Sequence, residues 1–133
     1  MDVKAISYIL RNNANLIAQV PAAKIFSGVI PINTVLPAIV VKHIDDIEEK
    51  FINAAGAKRF TARVQVSVQA KTWADKVSIL ELVRLALAGT FSTVNGISVY
   101  GISSEGSGPD LDDTELGIFE RSRDFLISFS LSA

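Results

Sequence analysis

The chain has 133 residues, of which 49% are hydrophobic and 20% charged, which is enough for one domain (residues 1–133) with a proper core. Its formal net charge of −1 lacks the basic surplus of nucleic-acid-binding domains, so no recognition of nucleic-acid sequence is expected. The chain has no cysteine, which excludes disulfides and thiolate metal sites, and no apolar run reaches the roughly 20 residues of a membrane span.

The mean hydropathy of +0.35 is high for a soluble monomer. Because no membrane segment accounts for it, this value indicates surface that is buried against other subunits. The N-terminus lacks the basic start and continuous apolar stretch of a signal peptide, so no secretory leader is expected.

The first twenty residues predict an amphipathic helix that Asp2 can cap and Pro21 ends. Asparagines at 12, 13 and 15 are poor interior helix residues, so a break and a restart are expected there. The apolar stripe of this helix consists of Ile6, Ile9, Leu10, Leu16, Ile17 and Val20.

Two strand candidates follow. Residues 23–27 predict a short strand, and residues 31–36 read as a loop. Pro37 then starts a second strand over residues 38–44, which is almost wholly apolar and β-branched. The charged run at 45–50 and the small apolar residues at 51–57 are expected to form a strand edge or a mobile loop.

The segment 59–71 alternates almost without error, which predicts a β-strand with one buried and one wet face. Such a strand needs antiparallel neighbours and a layer packed on its apolar side. Its apolar positions are Phe60, Ala62, Val64, Val66, Val68 and Ala70, and its polar positions are Thr61, Arg63, Gln65, Ser67, Gln69 and Lys71.

A second helix is predicted from about residue 73 to residue 88. Thr72 with Asp75 three residues later resembles a capping box with a shorter acid, and Gly89 is well placed to end the helix. Its apolar stripe predicts a core-facing side, and Trp73 is expected in the core. The stripe consists of Val77, Ile79, Leu80, Val83, Ala86 and Leu87.

The last third of the chain predicts more strands. Asn95-Gly96 is a strong signal for a two-residue hairpin, residues 101–113 read as a Gly/Ser/acidic loop, and residues 118–131 predict a long strand. The whole pattern predicts an α+β fold, in which a mostly antiparallel sheet has two main helices packed on one face.

His43, the only histidine, ends an apolar strand beside Asp45 and Asp46. A histidine next to carboxylates can act as a base or as a metal ligand, so a small α+β enzyme or ligand-binding domain centred on His43 stays open as an alternative. The simpler interpretation is that the carboxylates solvate the end of a strand.

Other candidates for chemistry are weaker. Asp110, Asp112, Asp113 and Glu115 lack the regular spacing and central glycine of a calcium loop. Serines 128, 130 and 132 share one face of the last strand, but no base stands near them to activate a hydroxyl. We therefore expect no catalytic residue, no metal and no cofactor.

Charges are grouped along the chain. Ten of the fourteen acidic residues lie within 45–49 and 105–120, whereas residues 58–84 hold six basic residues and two acidic ones. Separated acidic and basic surfaces would let one copy bind another head to tail, which produces rings or filaments. The alternative is that both blocks are ordinary solvated faces.

Several segments, in their order and spacing, resemble the small tail-completion, or tail-terminator, proteins of long-tailed, lambda-like bacteriophages and their prophages. The likeness covers nearly the whole chain, and its individual motifs are mainly core pattern and strand ends. The segments are Leu16-Ile17-Ala18-Gln19-Val20-Pro21, Lys24-Ile25-Phe26-Ser27-Gly28, Leu36-Pro37-Ala38-Ile39-Val40-Val41, Arg63-Val64-Gln65-Val66 with the helix after it, and Gly117-Ile118-Phe119 through Arg121-Ser122-Arg123-Asp124-Phe125.

This resemblance implies a function without catalysis. Members of the family form a hexameric ring in the virion tail, which is assembled in the host cytoplasm. The ring caps the growing tail tube, stops its polymerisation and joins the tail to the head connector. The implied partners are therefore other copies of this chain, the tail tube protein and the head–tail connector protein.

The subunit or tube interface is expected where the grouped charges lie. Another head–tail joining or neck protein of the virion stays open as an alternative. The expected interface residues are Arg59, Arg63, Gln65, Lys71, Asp45, Asp46, Glu48, Glu49, Asp110, Asp112 and Asp113.

Overall fold

A computed structural model describes residues 2–49, 58–89, 92–94 and 97–131. In chain order the elements are α1 (Asp2–Arg11), α2 (Ala14–Ile17), a 3-10 turn (Ala22–Lys24), β1 (Ile25–Ser27), β2 (Ala38–Glu49), β3 (Lys58–Ala70), α3 (Trp73–Leu87), β4 (Ser92–Val94), β5 (Ile97–Ser107) and β6 (Phe119–Leu131).

Six strands form one sheet in the order β1-β2-β3-β6-β5-β4. Every neighbouring pair is antiparallel except β1 and β2, which run parallel with Phe26 opposite Val40. The predicted α+β class and mostly antiparallel sheet are confirmed. β1 and β2 can run parallel because the ten residues between Ser27 and Ala38 return the chain to the end of the sheet at which β1 began.

The first helical segment breaks where the asparagines predicted it. α1 ends at Arg11, and α2 begins after Asn13, whose side chain accepts a 3.0 Å hydrogen bond from the Leu16 N–H. This side-chain cap satisfies a backbone donor that the start of a new helix leaves free.

The core lies between the sheet and the helices. The alternation of β3 is confirmed: its residues from Ala62 to Ala70 at even positions are all buried, and those from Thr61 to Gln69 at odd positions are partly exposed except Ser67. Ile6 and Leu10 of α1 and Val83 and Leu87 of α3 pack on this inner face. No helix within the described ranges is long and apolar enough to span a membrane.

Two strands are longer than the sequence predicted. β2 continues through the charged run as far as Glu49, and residues 101–107 belong to β5 and not to a loop. Both stretches are polar, but each has a long neighbouring strand that satisfies its backbone hydrogen bonds. Register shifts at Val99/Gly101 and Ser104/Gly106 accommodate the irregular part of β5.

Two predictions fall partly or wholly on residues outside the described ranges. These are the edge or loop at 51–57 and the hairpin turn at Asn95-Gly96. The flanking residues of the turn, Val94 and Ile97, are paired directly with each other in antiparallel strands.

Val66→Asp tests the inner face of β3. Burying an unpaired carboxylate costs several kcal/mol, which is a large part of the about 5–15 kcal/mol of a typical domain. We expect the variant to be largely unfolded by circular dichroism and urea titration. Gln65→Lys, one residue away on the opposite face and directly across from Asp124, places a charge where a partner is available and should remain folded. Equal stability of both variants would contradict the one-sided burial.

Candidate functional site

The face of the sheet that the helices leave uncovered is polar and continuous across β3 and β6. Direct pairing places Arg59 opposite Ser130, Gln65 opposite Asp124 and Gln69 opposite Glu120. The predicted interface residues Arg59, Arg63 and Gln65 therefore lie on one helix-free surface, as their alternation requires.

A tyrosine of β5 anchors one side of this surface. The Arg59 guanidinium lies 4.7 Å from the centroid of the Tyr100 ring, and its Nε donates to Ser128 Oγ at 3.3 Å. The Tyr100 hydroxyl and Ser130 Oγ are 2.9 Å apart, within hydrogen-bond distance. Ser128 and Ser130 thus hold the neighbouring side chains of Arg59 and Tyr100 in place.

Further polar contacts join β3 and β6 along this surface. Arg63 Nη1 lies 3.5 Å from Asp124 Oδ2, and Gln69 Nε2 donates to Glu120 Oε1 at 2.8 Å. Both members of the Arg63–Asp124 pair are about one-third exposed, so solvent screens most of its energy. The pair aligns side chains more than it stabilises the fold.

The two charge blocks of the sequence meet on the folded chain. Asp45 lies directly opposite Arg63, and Asp46 lies opposite Ala62 on the other face of the sheet. Glu48 and Glu49 are in register with Phe60 and Arg59. The interpretation of separated acidic and basic surfaces is therefore wrong for these strands, because antiparallel pairing places residues far apart in sequence side by side.

His43 pairs with a carboxylate that the sequence did not indicate. Its Nδ1 and the Asp2 Oδ2 at the start of α1 are joined by a hydrogen bond, which is an ion pair when His43 is protonated. The hydrogen bond to buried Asp2 raises the pKa of His43, and the charge of Asp46 raises it further. Asp45, on the opposite face, takes no part.

This pairing predicts a pH-dependent stability. Because the pKa of His43 in the folded state lies above its ordinary 6.5, the stabilisation by the His43–Asp2 pair is fully present below pH 6.5. It is lost as the pH rises through the raised pKa. The free energy of unfolding of the native chain should therefore decrease over that window. His43→Gln should lack this slope in urea titrations at pH values on either side of it. An unchanged slope in the variant would contradict the pair.

A buried lysine organises the loop between β5 and β6. Lys76 of α3 is 0% exposed, and its Nζ lies 2.9 Å from Asp110 Oδ1 and 2.9 Å from Asp112 Oδ1. A buried ammonium needs such partners because its desolvation is otherwise very costly. Asp112 Oδ1 also accepts a hydrogen bond from the Glu120 N–H.

Arg121 and Trp73 complete the cluster around Asp110. Arg121 Nε donates to Asp110 Oδ1 at 2.6 Å, and both Lys76 and Arg121 lie within 6 Å of the Trp73 ring centroid. The hydrogen bond from Arg121, followed by that from Lys76, holds the pKa of the Asp110 carboxyl well below its usual range. The prediction that Trp73 lies in the core is wrong: it is 50% exposed, because its ring covers this ionic cluster.

Asp113 has a different role from its neighbours. Its Oδ1 accepts hydrogen bonds from the Glu115 and Leu116 backbone N–H groups at 3.1 Å each, so it caps a tight turn. Asp110, Asp112 and Asp113 are thus engaged by cations and by backbone donors of the same chain. Within the described ranges, no three metal-ligating side chains are grouped to hold an ion.

The cluster was missed in the sequence because Lys76 looks like an ordinary exposed helix residue. One signal was present: Lys76 lies three and four positions before Ile79 and Leu80, which places it on the buried stripe of α3. The partners, thirty-four and thirty-six residues later, could not be found from spacing.

The Asp110→Asn/Asp112→Asn variant should be less stable than Lys76→Met. The first leaves a buried ammonium without a counter-charge, whereas the second replaces it with an apolar chain of similar shape. Urea titration of both variants at neutral pH measures the difference. Lys76→Met being the less stable of the two would overturn this account of the cluster.

Exposed apolar side chains gather at the end of the sheet where β3 leads into α3. A groove there is bounded by the 30–36 loop, Gln69, Lys71 and residues 116–118. The predicted interface residue Lys71 lies on this groove. The large, exposed apolar side chains of the two loops are Val29, Ile32, Val35, Leu111 and Leu116.

Comparison with known proteins gives one kind of match. No protein-family model and no curated protein matches the sequence. Among solved structures, the fold is similar to a chain described as "Virion of native gene transfer agent (GTA) particle", with a TM-score of 0.68 and 14% sequence identity. The likeness covers 94% of this chain and 91% of that chain. At this identity the similarity shows a shared fold.

Proposed function

We propose that this chain is a structural protein of a phage-like virion, in which copies of it form a ring that closes the end of the tail tube. The observation that supports this most directly is the fold likeness, over nearly all of both chains, to a chain of a gene transfer agent virion. The tail-terminator role and the hexameric ring are taken from the resemblance of the sequence to the tail-terminator proteins of bacteriophages. The fold likeness to a virion chain is compatible with that resemblance.

The chemistry of the described surface agrees with a structural role. His43 is engaged with Asp2, and Asp110 and Asp112 are engaged with Lys76. The helix-free face carries an ordered set of polar side chains suited to contact. A protein that acts by shape and by binding needs such a surface and requires no reacting group.

The mechanism that we propose is geometric. A ring whose symmetry matches the tube binds it through one face, and the opposite face lacks the surface that would recruit another layer of tube protein. Growth of the tube then ends. Exposed charge pairs at the contacts are worth only about 0–1 kcal/mol each, so they would set register and orientation.

Sedimentation velocity and negative-stain microscopy, with and without the tube protein encoded by the same genome, test the proposal. We expect rings, at least in the presence of the tube protein. A strict monomer at high concentration with tube protein present would count against ring formation. Binding to a head connector without any binding to the tube would favour the alternative of a neck protein.

Arg59→Glu/Arg63→Glu tests the role of the polar face. Among the contacts of the described residues, these substitutions remove the screened Arg63–Asp124 pair and the interactions of Arg59 with Ser128 and Tyr100, all at a partly exposed face, so assembly should weaken more than folding. Tube-capping assays and unfolding curves measure the two effects. Lys4→Glu/Lys24→Glu, which reverses two positive charges on α1 and on the 3-10 turn, is the control. Unchanged rings and tail length in the first variant would refute a role for this face.

A further inference from the structure

The end of the sheet beside α3 exposes an apolar groove with a positive charge. Ile32 on its wall is 92% exposed, and Val35 and Leu116 are also exposed. The exposed side chain of Lys71 lies in the groove and forms no ion pair with any residue in the described ranges. Such a surface fits a segment that carries apolar and acidic side chains together.

The opposite part of the molecule presents a segment of that kind on β2. Ile47 is 69% exposed and shares its face of the sheet with exposed Asp45, which lies opposite Arg63; Ile44 is also exposed, as is Asp46 on the other face. β1 pairs with β2 only as far as Val41, so among the described residues no strand covers the remaining edge of β2 on that side.

These two surfaces are too far apart to meet within one molecule. Ile47 lies opposite Thr61 of β3, whereas Gln69 of the same strand lines the groove. Eight residues of extended strand separate Thr61 from Gln69, which corresponds to about 26 Å. Contact between the groove and the acidic edge therefore requires a second copy.

We propose that the acidic edge of β2 in one copy, residues 44–47, binds the apolar groove around Lys71 in the next copy. Ile44 and Ile47 would be buried against Ile32, Val35 and Leu116, and Asp45, which shares the face of Ile47, would lie near Lys71. The proposal deepens, and rests on, the proposed ring, because it supplies its subunit contact.

The chemistry favours this head-to-tail contact over a symmetric one. Two β2 edges paired with each other would place Asp45 and Asp46 against the same acids, and like charges on neighbouring strands repel. Two grooves facing each other would bring two lysines together. A groove-to-edge contact joins opposite charges and uses different surfaces on each copy, so it repeats around a ring.

Disulfide trapping tests the contact, because the chain has no cysteine of its own. Under mild oxidation, Ile32→Cys/Ile47→Cys should form covalent chains and closed rings larger than dimers, with peptides joined between positions 32 and 47. The matched control is Ile47→Cys/Leu85→Cys, since Leu85 on α3 is 63% exposed but lies outside both surfaces. Products no larger than those of the control would overturn the proposed contact.

A mixing experiment separates this contact from the ring itself. Ile32→Asp/Val35→Asp disables only the groove, and Ile44→Asp/Ile47→Asp disables only the edge. Each variant alone should sediment as a monomer under conditions in which the native chain assembles, and an equimolar mixture should stop at dimers. If both variants still form rings, the proposed groove-to-edge contact is contradicted, whereas the proposal of ring formation is supported. If the native chain never assembles, the ring fails and the trapping result alone decides the contact.

Discussion

The structure depends on burying one face of a six-stranded sheet beneath helices that all lie on the same side. β3 is at the centre of this arrangement: its inner side chains are buried by α1 and α3, and its outer side chains remain polar. Because both main helices pack on the inner face, the outer face has to be stable in water or against another protein. The serines, glutamines and arginines of β3 and β6 meet that requirement by hydrogen-bonding one another across the strands.

The buried charges of this protein fix the positions of its elements more than they increase its stability. A buried ion pair often contributes no more than an apolar pair of the same size, so the cluster of Lys76, Asp110 and Asp112 is best explained by the geometry that it specifies. It ties the loop between β5 and β6 to the first turns of α3. Leu116, on the same loop, lines the groove next to Lys71.

The exposed surfaces of the chain differ in how far their polar groups are already paired, and this difference bears on how copies could assemble. On the helix-free face many polar side chains are hydrogen-bonded to one another, so their positions are fixed before any partner binds. The groove around Lys71 and the outer half of β2 are different, because each exposes large apolar side chains next to charged ones. A ring needs two unlike surfaces on every copy, and these two are unlike in charge and similar in apolar character.

The sequence by itself determined the elements whose burial is periodic. The strands at 59–71 and 118–131, the helix after Thr72 and the break near Asn13 were all predictable, because side-chain alternation and capping are local. Sequence patterns could not extend β2 through Asp45 and Asp46 or make a strand of residues 101–107, since those polar stretches are held by neighbouring strands. Only the tertiary structure brought Asp2 to His43, placed Lys76 between Asp110 and Asp112 and exposed Trp73. Those contacts join residues more than thirty positions apart, and the energy that selects them arises from burial, which exists only after the helices and the sheet have packed.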